Sequence, residues 1–138
     1  MPREVINSDR YDVPVRSAPD SIPFTQAIRV APGIGLLFVS GITSRGPDGA
    51  ILHEGDIAAQ TRQVLENMKA IIEGAGGSMR EVVKITTFVR AADDISAISA
   101  LRREYFGEPG PTSSTVEVSR LFDPRQLIEI EAIVALEG

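Results

Sequence analysis

The sequence predicts an α+β fold, with two helices packed on one face of a single mixed β-sheet. Three observations predict it. The run from Asp56 to Gly74 repeats its apolar residues with a 3.6-residue period. The runs Val82–Arg90 and Leu127–Ala135 have the β-branched or alternating character of strands. The element order, ββ(loop)αβαββ, lacks the regular crossovers that would make every strand parallel.

Residues 1–22 are polar and contain Pro14 and Pro19, which fits an irregular or edge-strand entry. Phe24–Ala31 reads as a strand. Pro32-Gly33 turns it into Leu36–Ile42, and the pair looks like a hairpin. The long loop Thr43–Gly55 follows, marked by Gly46-Pro47 and Asp48-Gly49. In the first helix Ile57, Thr61, Val64, Leu65, Met68, Ile71 and Ile72 make the apolar stripe. Asp56 suits the N-cap, and Gly74–Gly77 ends the helix. That glycine-rich stretch follows a helix instead of preceding one, so it lacks the geometry of a phosphate loop. Val83, Ile85, Thr87 and Val89 share one side of the next strand. Asp93 and Asp94 offer a cap for a second helix, which runs through Phe106 and ends at Gly107–Pro111.

A short alternating run, Thr115–Val118, and a loop with Asp123-Pro124 lead to the last strand. Its alternation puts Ile128, Ile130, Ala132 and Val134 on one face. Leu127, Glu129, Glu131, Ile133 and Ala135 take the other. This second face is too apolar to leave wholly wet, and no third helix covers it. A second copy of the chain can cover it, so a closed homo-oligomer with clefts between subunits is expected. Glu129 and Glu131 sit about 7 Å apart at strand rise. They make either a half-solvated acidic face or a working carboxylate in a cleft beside the hydroxyls of Ser113, Ser114 and Thr115.

The chain has 138 residues, enough for one domain that buries its own core. Its net charge of −5 and few aromatics exclude an electrostatic nucleic-acid footprint. With no Cys there is no disulfide, thiolate nucleophile or thiolate metal site. The start, MPREVINSDRYDVPV, has no apolar core of a signal peptide, and no window reaches the ~18 apolar residues of a membrane span. A cytoplasmic protein is expected.

Ser113, Ser114 and Thr115 form either a hydrogen-bonded turn or an oxyanion pocket with backbone N–H groups. A serine nucleophile wants a base, normally His. The single His, His53, lies in the long loop with Glu54 and Asp56 and reads as surface, with no metal expected there. Gly41, after Ser40 at the end of a buried strand, either satisfies the turn or lets a ligand approach the backbone. Arg45 is a solvated loop residue or an anion anchor. Arg102 is one turn on from Ser99, and it could reach past the helix end toward a neighbouring subunit.

Several stretches together resemble the Rid superfamily, also called the YjgF family, from about Pro23 to Ala135. They are PFTQAIR (23–29), LLFVSG (36–41), GDIAAQTRQVLENMKAII (55–72), EVVKITTFV (81–89), YFG (105–107), PTSSTVEVSRL (111–121) and IEIEAI (128–133). The resemblance implies a chorismate-mutase-like fold assembling as a barrel-like homotrimer, sheets inside, with three clefts between subunits. It also implies hydrolysis of small enamines or imines without metal or organic cofactor. In it Glu129 orients the attacking water, and Gly41 contacts the substrate through its backbone. The family motif P-x-R-S carries an Arg that grips the substrate carboxylate, and here that position is Ser113. Phe24 replaces a Tyr, Ser99 an Asn and Thr115 a Cys. The loop SGITSRGPDG is closer to the branch that contains aminomuconate deaminases. The expected function is a cofactor-independent deaminase of a small enamine or imine, with an aminomuconate-like compound among the candidate substrates. Its substrate-binding residues would be Phe24, Gly41, Ser99, Ser113, Thr115 and Arg102, with Arg102 or Arg45 as replacement anion anchor. The alternative is a trimer of the same fold that binds a metabolite without catalysis.

Overall fold

In a computed structural model, the structure describes residues 2–6 and 25–137. Strand β1 (Arg3–Ile6) pairs antiparallel with β2 (Ala27–Val30) as a two-stranded ribbon. A four-stranded mixed sheet follows, ordered β3 (Gly35–Ile42), β6 (Ile128–Leu136), β4 (Val82–Val89) and β5 (Thr112–Glu117). The β4–β5 pair is parallel, while β6 runs antiparallel to both β3 and β4. Helices α1 (Ile57–Gly74) and α2 (Ile95–Phe106) share one core with this sheet. Two helices on a mixed sheet is the fold class the sequence predicts.

The expected hairpin is not formed. β2 pairs with β1, and β3 pairs with β6. Pro32-Gly33 does reverse the chain, but Phe38, Val39 and their neighbours are matched by the nine-residue β6. Residues 3–6 supply β2 with its partner, while residues 7–22 of the entry segment lie outside the described residues.

Asp56 caps α1, accepting a hydrogen bond from the Ala59 N–H at 3.0 Å. At the other end the N–H groups of Ala75, Gly76 and Gly77 return to carbonyls of the last turn, and Gly76 takes φ +85°. That conformation suits Gly because it has no Cβ to clash. Asp56→Ala is expected to cost about 1 kcal/mol of stability, measured by the urea midpoint. Asp94 stands at the α2 N-cap position without a side-chain cap bond, because a 3-10 turn over Ala92–Asp94 leads into the helix.

Val64, Leu65, Met68 and Ile72 of α1, Ile98 and Phe106 of α2, and Ile85, Val89, Ile128, Ile130 and Val134 of the sheet make the core. The alternation of β6 is as read: Ile128, Ile130, Ala132 and Val134 are buried, and Glu131 is exposed. The opposite face of the sheet stays open. Phe38 is 72% exposed and Leu36 49% exposed. Phe38, Ser40, Lys84, Thr86, Glu131 and Ile133 line a depression of about 310 Å³ there.

Candidate functional site

Glu129 lies on the open face of β6, opposite Phe88 of β4 and between the buried Ile128 and Ile130. The β3–β6 register shifts between Val39 and Ile42, which makes a bulge at Ser40-Gly41. The Glu129 carboxylate rests against this bulge. A Cβ on Gly41 would stand 2.6 Å from Glu129 Oε2 and 2.7 Å from its Cδ. Gly41 is therefore the residue whose missing side chain makes room for the carboxylate. Among the described residues nothing donates a hydrogen bond to Glu129, so both oxygens can take a water or a ligand N–H.

A second group gathers on the other face. Thr87 and Thr115 are direct partners across the parallel β4–β5 pair, and Thr87 is fully buried against the helices. Arg102 of α2 donates from Nη1 to Thr87 Oγ1 and Thr115 Oγ1, both at 3.1 Å. Its Nη2 donates to Ser99 Oγ at 3.4 Å. The guanidinium therefore folds back onto the sheet and does not reach past the helix end. Two hydroxyls side by side on adjacent strands, plus one a turn earlier on α2, capture it. Arg102 is only 2% exposed, and burial pulls its pKa down to about 10, so it stays charged at neutral pH.

Ser113 and Thr115 lie inside strand β5, so the hydrogen-bonded turn is not what forms there. Being two apart, they point to the same side. The Ser113 Oγ is buried and has no hydrogen-bond partner among the described residues. Ser114 points the other way and accepts from Lys84 Nζ at 3.2 Å.

Thus Gly41 and Glu129 meet on the open face, whereas Ser99, Arg102, Thr115 and Ser113 cluster where β5 meets α2. Phe24 lies outside the described residues. Thr25, next to it, donates its N–H to Pro111 O at 3.2 Å, at the entry to β5. Arg45 is occupied within its own loop, donating to Gly49 O at 2.6 Å. His53 is an exposed loop residue with φ +60°. The loop from β5 to β6 is tied by Arg125, whose hydrogen bonds at 2.9 and 2.8 Å hold the Asp123 carboxyl well below the usual carboxylate range. Thr87 is the site residue that the sequence reading left in the core. A hydroxyl among Val83, Ile85 and Val89 on a buried face must find a partner, and that was the available signal.

Residues 15–136 match the family model described as Endoribonuclease L-PSP. A RutC family protein of Pyrococcus horikoshii is 44% identical over 98% of this chain and 99% of its own. The 3-aminoacrylate deaminase RutC of Acinetobacter baylyi is 36% identical over 96% of this chain and 98% of its own. The 2-iminobutanoate/2-iminopropanoate deaminase of Dermatophagoides farinae is 36% identical over 87% of this chain and 91% of its own. Among solved structures, the Rid family protein YyfB of Yersinia pestis superposes with a TM-score of 0.85 at 31% identity, over 99% of this chain and 100% of its own. Sequence coverage and superposition agree from β2 to β6, and the chain belongs to the Rid family, whose members include RutC and whose family model is Endoribonuclease L-PSP.

Proposed function

We propose that the protein hydrolyses the C=N bond of a small enamine or imine, releasing ammonia and a carbonyl product. The observation that carries this reading is the Glu129 carboxylate seated against the Gly41 bulge, with no hydrogen-bond partner for either oxygen among the described residues. The two relatives named as deaminases support it at family level. An enamine first tautomerises to its imine. Glu129 holds a water and takes its proton as the oxygen adds to the imine carbon. The carboxyl returns that proton to the imine nitrogen, which gives the carbinolamine. It then takes the carbinol O–H proton and passes it to the nitrogen as the C–N bond breaks, so that ammonia leaves and the carbonyl forms. Backbone N–H groups near Gly41 and Thr115, with the β5 hydroxyls, stabilise the charge that develops.

Within one chain Glu129 and the Arg102 group face opposite sides of the sheet. In this reading a complete cleft therefore takes Gly41 and Glu129 from one subunit and the α2–β5 edge from the next, in a homotrimer. Exposed Phe38 and Leu36 support such an assembly, because that open face is apolar and uncovered by the described residues of its own chain. The same face presents Glu129 and Glu131, and the chain carries a net −5 charge, which disfavours an RNA backbone as substrate.

The test is ammonia release from 3-aminoacrylate, 2-iminobutanoate and 2-aminomuconate, each generated in situ. Acceleration above the buffer rate with at least one is expected. Buffer-rate release with all three would overturn the reading in favour of a metabolite-binding trimer. Gly41→Ala is expected to push the Glu129 carboxylate off the bulge and lower kcat at least tenfold, on the scale of lost orientation. Its thermal midpoint should move little, since the residue is exposed.

A further inference from the structure

Arg102 carries a buried positive charge that no carboxylate neutralises among the described residues. Its partners are the hydroxyls of Ser99, Thr87 and Thr115, which offer dipoles but no charge. Burying an unpaired guanidinium is costly, and a hydrocarbon of similar size there would be tolerated better. A guanidinium has five N–H donors, and three are used here. The Nε–H is buried and has no partner among the described residues, and Nη2 carries one N–H beyond the one given to Ser99. Nε and Nη2 lie along one edge of the guanidinium, the edge that forks onto a carboxylate with two parallel bonds. Ser113 Oγ, also buried and without a partner among the described residues, lies on the same face of β5 as Thr115, about 7 Å away at strand rise.

We propose that Arg102 is the anion anchor of the site, a guanidinium delivered from α2 that takes the carboxylate of a small monoanionic substrate, with Ser113 Oγ as a further donor. The substrate class named here rests on the deaminase reading above. The hydroxyls of Thr87, Thr115 and Ser99 set the plane of the guanidinium before ligand arrives. One unpaired positive charge matches one carboxylate. A phosphate dianion would leave surplus negative charge in the same buried place, where the hydrogen-bond partners of Arg102 among the described residues are all neutral hydroxyls.

Binding is measured calorimetrically with crotonate and its neutral amide, crotonamide, on the full chain. Neither probe has a C=N bond, so binding is read without turnover. The wild type is expected to bind crotonate at least tenfold more tightly than crotonamide. In Arg102→Met that preference should vanish, through crotonate binding about 10- to 100-fold more weakly, on the scale of a charge-assisted hydrogen bond. Crotonamide affinity should be unchanged. Unliganded Arg102→Met should melt close to the wild-type temperature, since losing an unpaired buried charge offsets the hydroxyl partners it leaves. A guanidinium that only clamps β4, β5 and α2 gives the reverse pattern, a lower melting temperature and an unchanged preference. Should Arg102→Met fail to fold, Arg102→Gln, which keeps donors without charge, must show the same loss of preference. Equal affinity of the wild type for the two probes, or a preference retained in a folded variant, overturns the proposal. A wild type that prefers crotonate yet releases no ammonia from any C=N substrate leaves the anchor standing and overturns the deaminase reading alone.

Discussion

Glu129→Gln should lower kcat by about 10²- to 10⁴-fold, the range over which a positioned general base contributes, and leave KM nearly unchanged. Gln has the same shape and still holds a water by hydrogen bonds, but its amide cannot take the proton. The fold should be indifferent to the change. Glu129 is half-buried on the open sheet face, and among the described residues it makes no hydrogen bond that Gln would lose. Surface substitutions of this kind stay within about 0.5 kcal/mol in stability. Glu131 provides the control. It stands two residues along the same face, opposite Thr86, and is exposed. Gly41 is fitted to Glu129, and no such fit is present at Glu131. Glu131→Gln should therefore retain wild-type turnover. Equal losses in the two variants would mean that the face needs negative charge and not a base at one position. No loss in either would remove Glu129 from the chemistry.

Helix α1, its Asp56 cap and the two faces of β6 were legible in the sequence because they depend on residues close together in the chain. Period, cap and alternation are local signals. The Glu129 face was legible for the same reason. The partner of β2 was not. A four-residue strand carries little information about which edge it joins, and the Pro32-Gly33 turn makes a hairpin look natural. Its true partner lies 27 positions away for the Arg3–Val30 pair. A turn was one of the two readings of Ser113–Thr115 because Pro109, Gly110 and Pro111 precede them. The turn signal stops there, and the parallel partner β4 draws Thr112 onward into the sheet. Arg102 shows the same limit. Helical spacing placed it beside Ser99 correctly. Its contacts with Thr87 and Thr115 join three elements, and no periodicity within one element encodes them. What the sequence did hold was a Thr on a buried strand face and an Arg on the helix that packs there. Each is a polar group that needs a partner when buried, and each is a partner for the other.

Subunits of Arg102→Met and Glu129→Gln, each nearly inactive alone, should restore activity when co-assembled. The expectation follows from where the two groups sit. Glu129 occupies the open face of the sheet, and Arg102 lies under β4 and β5 on the helix face. If a cleft takes its carboxylate from one subunit and its guanidinium from the next, mixing creates intact sites. At equal mixing a cleft receives Glu129 intact with probability one half and Arg102 intact with probability one half. About one quarter of the clefts are then intact in a cyclic oligomer. Recovery should approach that fraction of wild-type turnover, assayed after co-expression, with mixed trimers identified by native mass spectrometry. Both groups acting within one chain predicts no recovery, because every subunit then carries one defect. In confirmed mixed trimers one of the three clefts is intact, and recovery well below that third would mean that the clefts are coupled. The measurement thus separates a site shared between subunits from one complete in each chain, and it does so for any substrate that gives a measurable rate.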